Sequence, residues 1–130
     1  MHDAKDVAVY QRQGFGAALG LQPPYGLLIV DFVEGFADPA VFGGGNIPQA
    51  IERTQRLLDL ARERGWPVAH SRIVYADDDS DANVFSTKIP GMLTLKERSP
   101  ASAIVASLEP RRGELVVRKN VPSAFFGTSL

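Results

Sequence analysis

Two charged residues follow directly on apolar runs. Gly26-Leu27-Leu28-Ile29-Val30 ends at Asp31, and Glu114-Leu115-Val116-Val117-Arg118 ends at Lys119. The first run, apolar without alternation, reads as a strand covered on both faces and the second as a further strand, which puts each charge at the carboxyl end of a strand. In an open parallel sheet, ligands bind beyond those ends. A carboxylate and an ammonium a few ångströms apart in a partly dry cleft change each other's proton affinity and orient a third group. Taken singly, each is an ordinary solvated residue at a strand-to-loop junction. Two of them at equivalent positions, of opposite sign and followed by loops rich in Gly and aromatics, favour a site. The chemistry on offer is proton transfer and charge stabilisation. The pair does not break a covalent bond by nucleophilic attack, and the chain has no cysteine to do so.

The elements that must position this pair follow from the pattern. Residues 1–24 hold Gly14, Gly16, Gly20, Pro23 and Pro24 and read as a lead-in arm with room for a short helix. After the first strand, Phe32 to Gly45 is a Gly-rich loop with Asp38-Pro39. From Asn46 the period changes to 3.6: Ile47, Ala50, Ile51, Thr54, Leu57, Leu58 and Ala61 share a face. Asn46 is the expected N-cap with Pro48 in the first turn, Glu52 and Arg56 form an i,i+4 pair, and Gly65 is the expected C-cap. Pro67 to Val74 is the second strand, spaced for a βαβ unit. Tyr75 to Arg98 is a long polar excursion, expected to be functional or part of an interface. Ser99-Pro100 opens a short helix to about Leu108, Pro110-Arg111-Arg112-Gly113 is a turn, and Glu114 to Arg118 is the third strand. This order calls for an α/β, Rossmann-like three-layer fold with a parallel sheet and right-handed crossovers, in a single domain over 1–130.

Composition narrows the function. Fourteen Lys and Arg against fifteen Asp and Glu give a net charge of −1, which argues against a nucleic-acid partner. No apolar stretch approaches a membrane span of about 20 residues, and the N-terminus lacks a signal-peptide layout, so no membrane partner and a cytoplasmic location are expected.

Three ordered motifs carry a resemblance: VDFVEGFADP at 30–39, SRIVYADD at 71–78 and VVRKNVPSAFFGT at 116–128. Together with GFG at 14–16, they make the chain, from about Tyr10 to Leu130, similar to the isochorismatase-like cysteine hydrolases. It most resembles the branch of N-carbamoylsarcosine and maleamate amidohydrolases. That family uses an Asp, a Lys and a Cys. The resemblance implies that Asp31 is the general base and that Lys119 holds thiolate and carboxylate by charge. The family's Cys opens a helix after a fourth strand, which this sequence does not reach.

The resemblance therefore implies a linear amide or ureido substrate that is small and carboxylated, release of ammonia, and no cofactor. A sheet of order 3-2-1-4-5-6 would place the first strand in the middle, so the fold is expected to be truncated after strand 3. The absent part would be roughly 80 to 100 residues, on the same chain or a complementary one. Relatives commonly form homo-oligomers, often tetramers. A non-catalytic fragment or assembly module is the alternative.

Other residues have two readings each. Phe36, and Phe32 before it, either walls the pocket or plugs the core under the loop. Arg72 either grips a substrate carboxylate or pairs with the acidic cluster Asp77 to Asp81. Phe125 shapes the pocket mouth by resemblance. His70, in an apolar strand, reads as a hydrogen-bonded core residue. No metal is expected: the Asp-x-His spacing of zinc-binding relatives is lacking, and Asp77, Asp78 and Asp79 cannot all converge on one ion from an extended loop. A phosphatase-like reading of VDFVEG would need an Asp where Val33 stands.

Overall fold

The computed structural model describes residues 4–130. Helix α1 (Ala4–Arg12) lies in the lead-in arm and is followed by strand β1 (Leu27–Val30), a one-turn helix α2 (Glu34–Ala37) and the long helix α3 (Ile47–Glu63). Strand β2 (Val68–Ile73), helix α4 (Val84–Lys88), three short 3₁₀ turns and strand β3 (Leu115–Lys119) complete the order. The strands form one parallel sheet in the order β1-β2-β3, with Val30 opposite Ser71 and Ser71 opposite Val117. The expected α/β layering and strand order are present. Among the described residues no helix is long and apolar enough to cross a membrane.

One face of the sheet is well covered. Leu58 and Ala61 of α3 are fully buried with Ile29, Val68, Val105 and Leu108, the apolar stripe read from the 3.6 period. Gly65 ends α3 in the left-handed region at φ +66°, where a residue without Cβ is unstrained. Asn46 precedes the helix, but its side chain makes no cap hydrogen bond, contrary to the sequence expectation. The other face differs from the reading of β1 as covered on both sides. Leu28 and Val30 are 38% and 50% exposed, and Leu115, level with Leu28 across β2, is 39% exposed.

Two segments depart from expectation. Tyr75 to Arg98 is structured: Asn83 accepts hydrogen bonds from the Phe85 and Ser86 amides while Ser86 Oγ accepts from the Asn83 amide, a capping box that starts α4. A second core follows, in which Met92 and Leu95 bury against Ile73 and Tyr75. The helix expected from Ser99 to Leu108 is instead two 3₁₀ turns, Pro100–Ser102 and Ala106–Leu108. Between them Ala103 is extended, because the 103–105 backbone bonds the loop after β1: Glu34 N–H donates to Ala103 O and Val105 N–H to Phe32 O. These pairings outcompete the local helix.

Candidate active site

The site is assembled at the carboxyl end of the sheet. By strand alternation, Ser71, Ile73, Val117 and Lys119 share one face, and Val68, His70 and Arg72 share the other. Val30 lies level with Ser71, so an extended Asp31 would aim its side chain toward the Arg72 face. It does not. Asp31 has φ +59°, a left-handed conformation uncommon outside glycine and tolerated by Asp. That turn brings its carboxylate onto the Ser71 face. The backbone there is held by Asp31 N–H donating to Ser71 O at 3.1 Å and Val33 N–H donating to Asp31 O at 2.8 Å.

Lys119 meets it from the far strand. Strands two apart in a sheet are separated by about 9.5 Å, a gap that a long flexible side chain can cross. Lys119 Nζ lies 2.7 Å from Asp31 Oδ2, with the two side chains 2% and 18% exposed. A further Lys119 N–H donates to Pro122 O at 2.6 Å, which ties the ammonium to the segment after β3. The second carboxylate oxygen, Oδ1, accepts a hydrogen bond from Ser71 Oγ at 2.8 Å. Asp31 is thus gripped on both oxygens yet remains partly open. Such a group can take up and release a proton, and its neighbouring cation can hold an anion.

Ser71 escaped the sequence reading as a site residue. The available signal was a hydroxyl in the middle of an apolar strand, 1% exposed and therefore in need of a partner.

The remaining candidates lie elsewhere. Arg72 faces away from the pair. Its Nη2 donates to Ser102 Oγ at 2.8 Å and Glu97 O at 3.0 Å, and its ion pair is with Glu97 rather than with the Asp77 to Asp81 cluster. Phe36 packs on the Met92–Leu95 core and against Phe42, ring centroids 5.4 Å apart. Phe125 is 73% exposed. It is Phe126 that lines a cleft of about 530 Å³ beyond the ends of β2 and β3, along with Tyr75, Asp81, Lys119 and Asn120. Tyr75 O–H and Asn83 Nδ2 both donate to Asn120 O, and Asn120 Nδ2 donates to Asp81 Oδ2, so this wall is cross-linked. Burial pushes the Tyr75 phenol up from its usual range.

Three of the acidic residues of the 75–98 segment have separate partners. Asp78 accepts from Ser80 N–H, Asp79 pairs with Lys96, and Asp81 accepts from Ala76 N–H. Among the described residues no three His, Asp or Glu side chains converge as a metal set.

On the opposite face, Glu114 joins Arg62 of α3, at 2.7 Å, to His70 Nε2, at 3.1 Å. The Arg62 guanidinium holds the Glu114 carboxyl down to about 2, with help from the Arg111 amide and His70. His70 is 1% exposed and lies within this network.

A parallel α/β sheet with an acid and an amine joined at its carboxyl edge defines the general class, an enzyme-like α/β domain with a strand-end site. The particular family follows from comparison. A sequence model of the isochorismatase domain matches residues 25–130, and the chain belongs to the isochorismatase family. It is 33% identical to maleamate amidohydrolase of Pseudomonas putida, an alignment covering 100% of this chain and 62% of that protein. It is 29% identical to N-carbamoylsarcosine amidase of an Arthrobacter species, over 95% of this chain and 48% of that one. Among solved structures, an isochorismatase family protein from Desulfovibrio vulgaris superposes with a TM-score of 0.68 at 32% identity, over 79% of this chain and 56% of that one. The chain spans about half to three fifths of the length of these curated relatives.

Proposed function

We propose that this chain supplies the acid–amine half of an amidohydrolase site, which cleaves a linear amide or ureido C–N bond of a small carboxylated substrate and releases ammonia. The observation that carries the reading is the Asp31–Lys119 contact of 2.7 Å at the carboxyl ends of β1 and β3. The names of the two amidohydrolase relatives support the reaction class.

In this reading the nucleophile is a thiol from outside these 130 residues, which hold no cysteine. It is carried by a C-terminal continuation or a complementary chain. Asp31 accepts the thiol proton and Lys119 stabilises the thiolate. The sulfur attacks the carbonyl carbon, and the C–N bond of the tetrahedral species breaks. The proton held by Asp31 leaves with nitrogen as ammonia. Asp31 then takes a proton from water, whose oxygen attacks the thioester carbon; the C–S bond breaks, the acid is released, and Asp31 returns the proton to the sulfur.

Ammonia release from a panel of small amides and ureido acids tests this, run on the thiol-bearing protein and on the 130-residue chain alone. The reading expects release from at least one carboxylated substrate by the first and none by the second. Release by the cysteine-free chain, or by neither, overturns it.

A further inference from the structure

Asp31 must hold its orientation in two protonation states, and its two neighbours are not equivalent in that task. Lys119 has only N–H donors, so it serves the carboxylate. Once Asp31 has taken a proton, a partner that can accept is needed. The Ser71 hydroxyl can do both: it donates to Oδ1 at 2.8 Å when Asp31 is ionised, and by rotating its O–H it accepts from the carboxylic acid. The same residue holds the Asp31 backbone, since Ser71 O accepts the Asp31 N–H at 3.1 Å. Ser71 therefore grips the left-handed Asp31 at two points. At 1% exposure, water does not readily replace its hydroxyl.

We propose that Ser71 is a positioning residue that keeps the Asp31 carboxyl aimed at the reacting groups through both halves of the proton cycle. This rests on the amidohydrolase reading for its catalytic consequence. The geometric part does not.

The test compares Ser71→Thr with Ser71→Val, which have nearly the same shape and crowd the strand equally but differ in the hydroxyl; Ser71→Ala adds a variant without crowding. In the thiol-bearing protein, S71V and S71A should lose about ten- to a hundredfold in kcat with little change in KM. S71T should retain most of kcat.

The second readout needs no activity. In the 130-residue chain at pH 7, the Asp31 carboxyl ¹³C resonance should keep its wild-type position in S71T and move in S71V and S71A, which lack the donor to Oδ1. If the β-branched pair fails to fold, S71A against wild type gives the same comparison. Coincident ¹³C positions in S71T and S71V overturn the inference, as does S71T losing as much kcat as S71V. If no protein in the series releases ammonia while the ¹³C positions separate as expected, the amidohydrolase reading fails and the positioning of Asp31 by Ser71 stands.

Discussion

Replacing Glu114 with Gln should make stability independent of one titration that the wild-type chain depends on. Glu114 sits at the start of the strand that delivers Lys119, and its carboxylate accepts from Arg62, from the Arg111 amide and from His70. These donors hold its carboxyl at about 2 against an ordinary 4.5. The difference of roughly 2.5 pH units, at about 1.4 kcal/mol each, amounts to about 3 kcal/mol of stability. A depressed carboxyl contributes this above the unfolded value and loses it as pH falls through the folded one. The contribution should therefore be complete above about pH 5 and gone near pH 2. Urea unfolding of wild type and E114Q between pH 7 and pH 2 measures it. The wild type should lead by about 3 kcal/mol at pH 7, with the gap closing mainly between pH 4.5 and 2. In an Arg62→Met background most of that pH dependence should vanish, since Arg62 is the largest cause of the shift. A gap below about 1 kcal/mol at pH 7, or one that does not change with pH, would refute the reasoning.

Lys119→Met should destabilise the chain by about 3 kcal/mol, because it leaves the Asp31 carboxylate without its ion-pair partner. The double variant D31N/K119M should cost less than the sum of the two single changes in the same unfolding measurement. Gly35→Ala should lower the melting temperature by several degrees, at a cost of about 1–3 kcal/mol, since a Cβ there would lie 2.9 Å from the Ala101 carbonyl oxygen. Thermal unfolding followed by circular dichroism checks it, and an unchanged midpoint would mean that the 100–102 turn yields freely.

The parts of the fold that local pattern dictates were legible in the sequence. The unbroken apolar runs ending at Val30 and Val117 marked strands, and the 3.6 period through Leu58 and Ala61 marked α3 and its buried face. The meeting of Asp31 and Lys119 was legible because the carboxyl edge of a parallel sheet gathers strand ends. What depended on distant partners was not. Residues 99–108 have helix-opening chemistry, yet the backbone of 103–105 is claimed by residues 32–34. The Asn83 capping box uses Ser86 in the third helical position, a weaker signal than Glu or Gln, so the sequence around α4 has the look of a loop. Arg72 reads either as a substrate grip or as a partner of the Asp77 to Asp81 cluster, but alternation sends it to the face opposite Asp31, where Glu97 and Ser102 engage it. No propensity announces the left-handed turn at Asp31, and Ser71 could be recognised only after that turn was known.

The most direct test of the central claim is the rate at which iodoacetamide alkylates the thiol of the cysteine-bearing protein at pH 6, with and without Asp31→Asn. If Asp31 takes the thiol proton beside Lys119, the wild type should react fast and D31N at least a hundredfold more slowly. Equal rates in the two proteins would contradict the account.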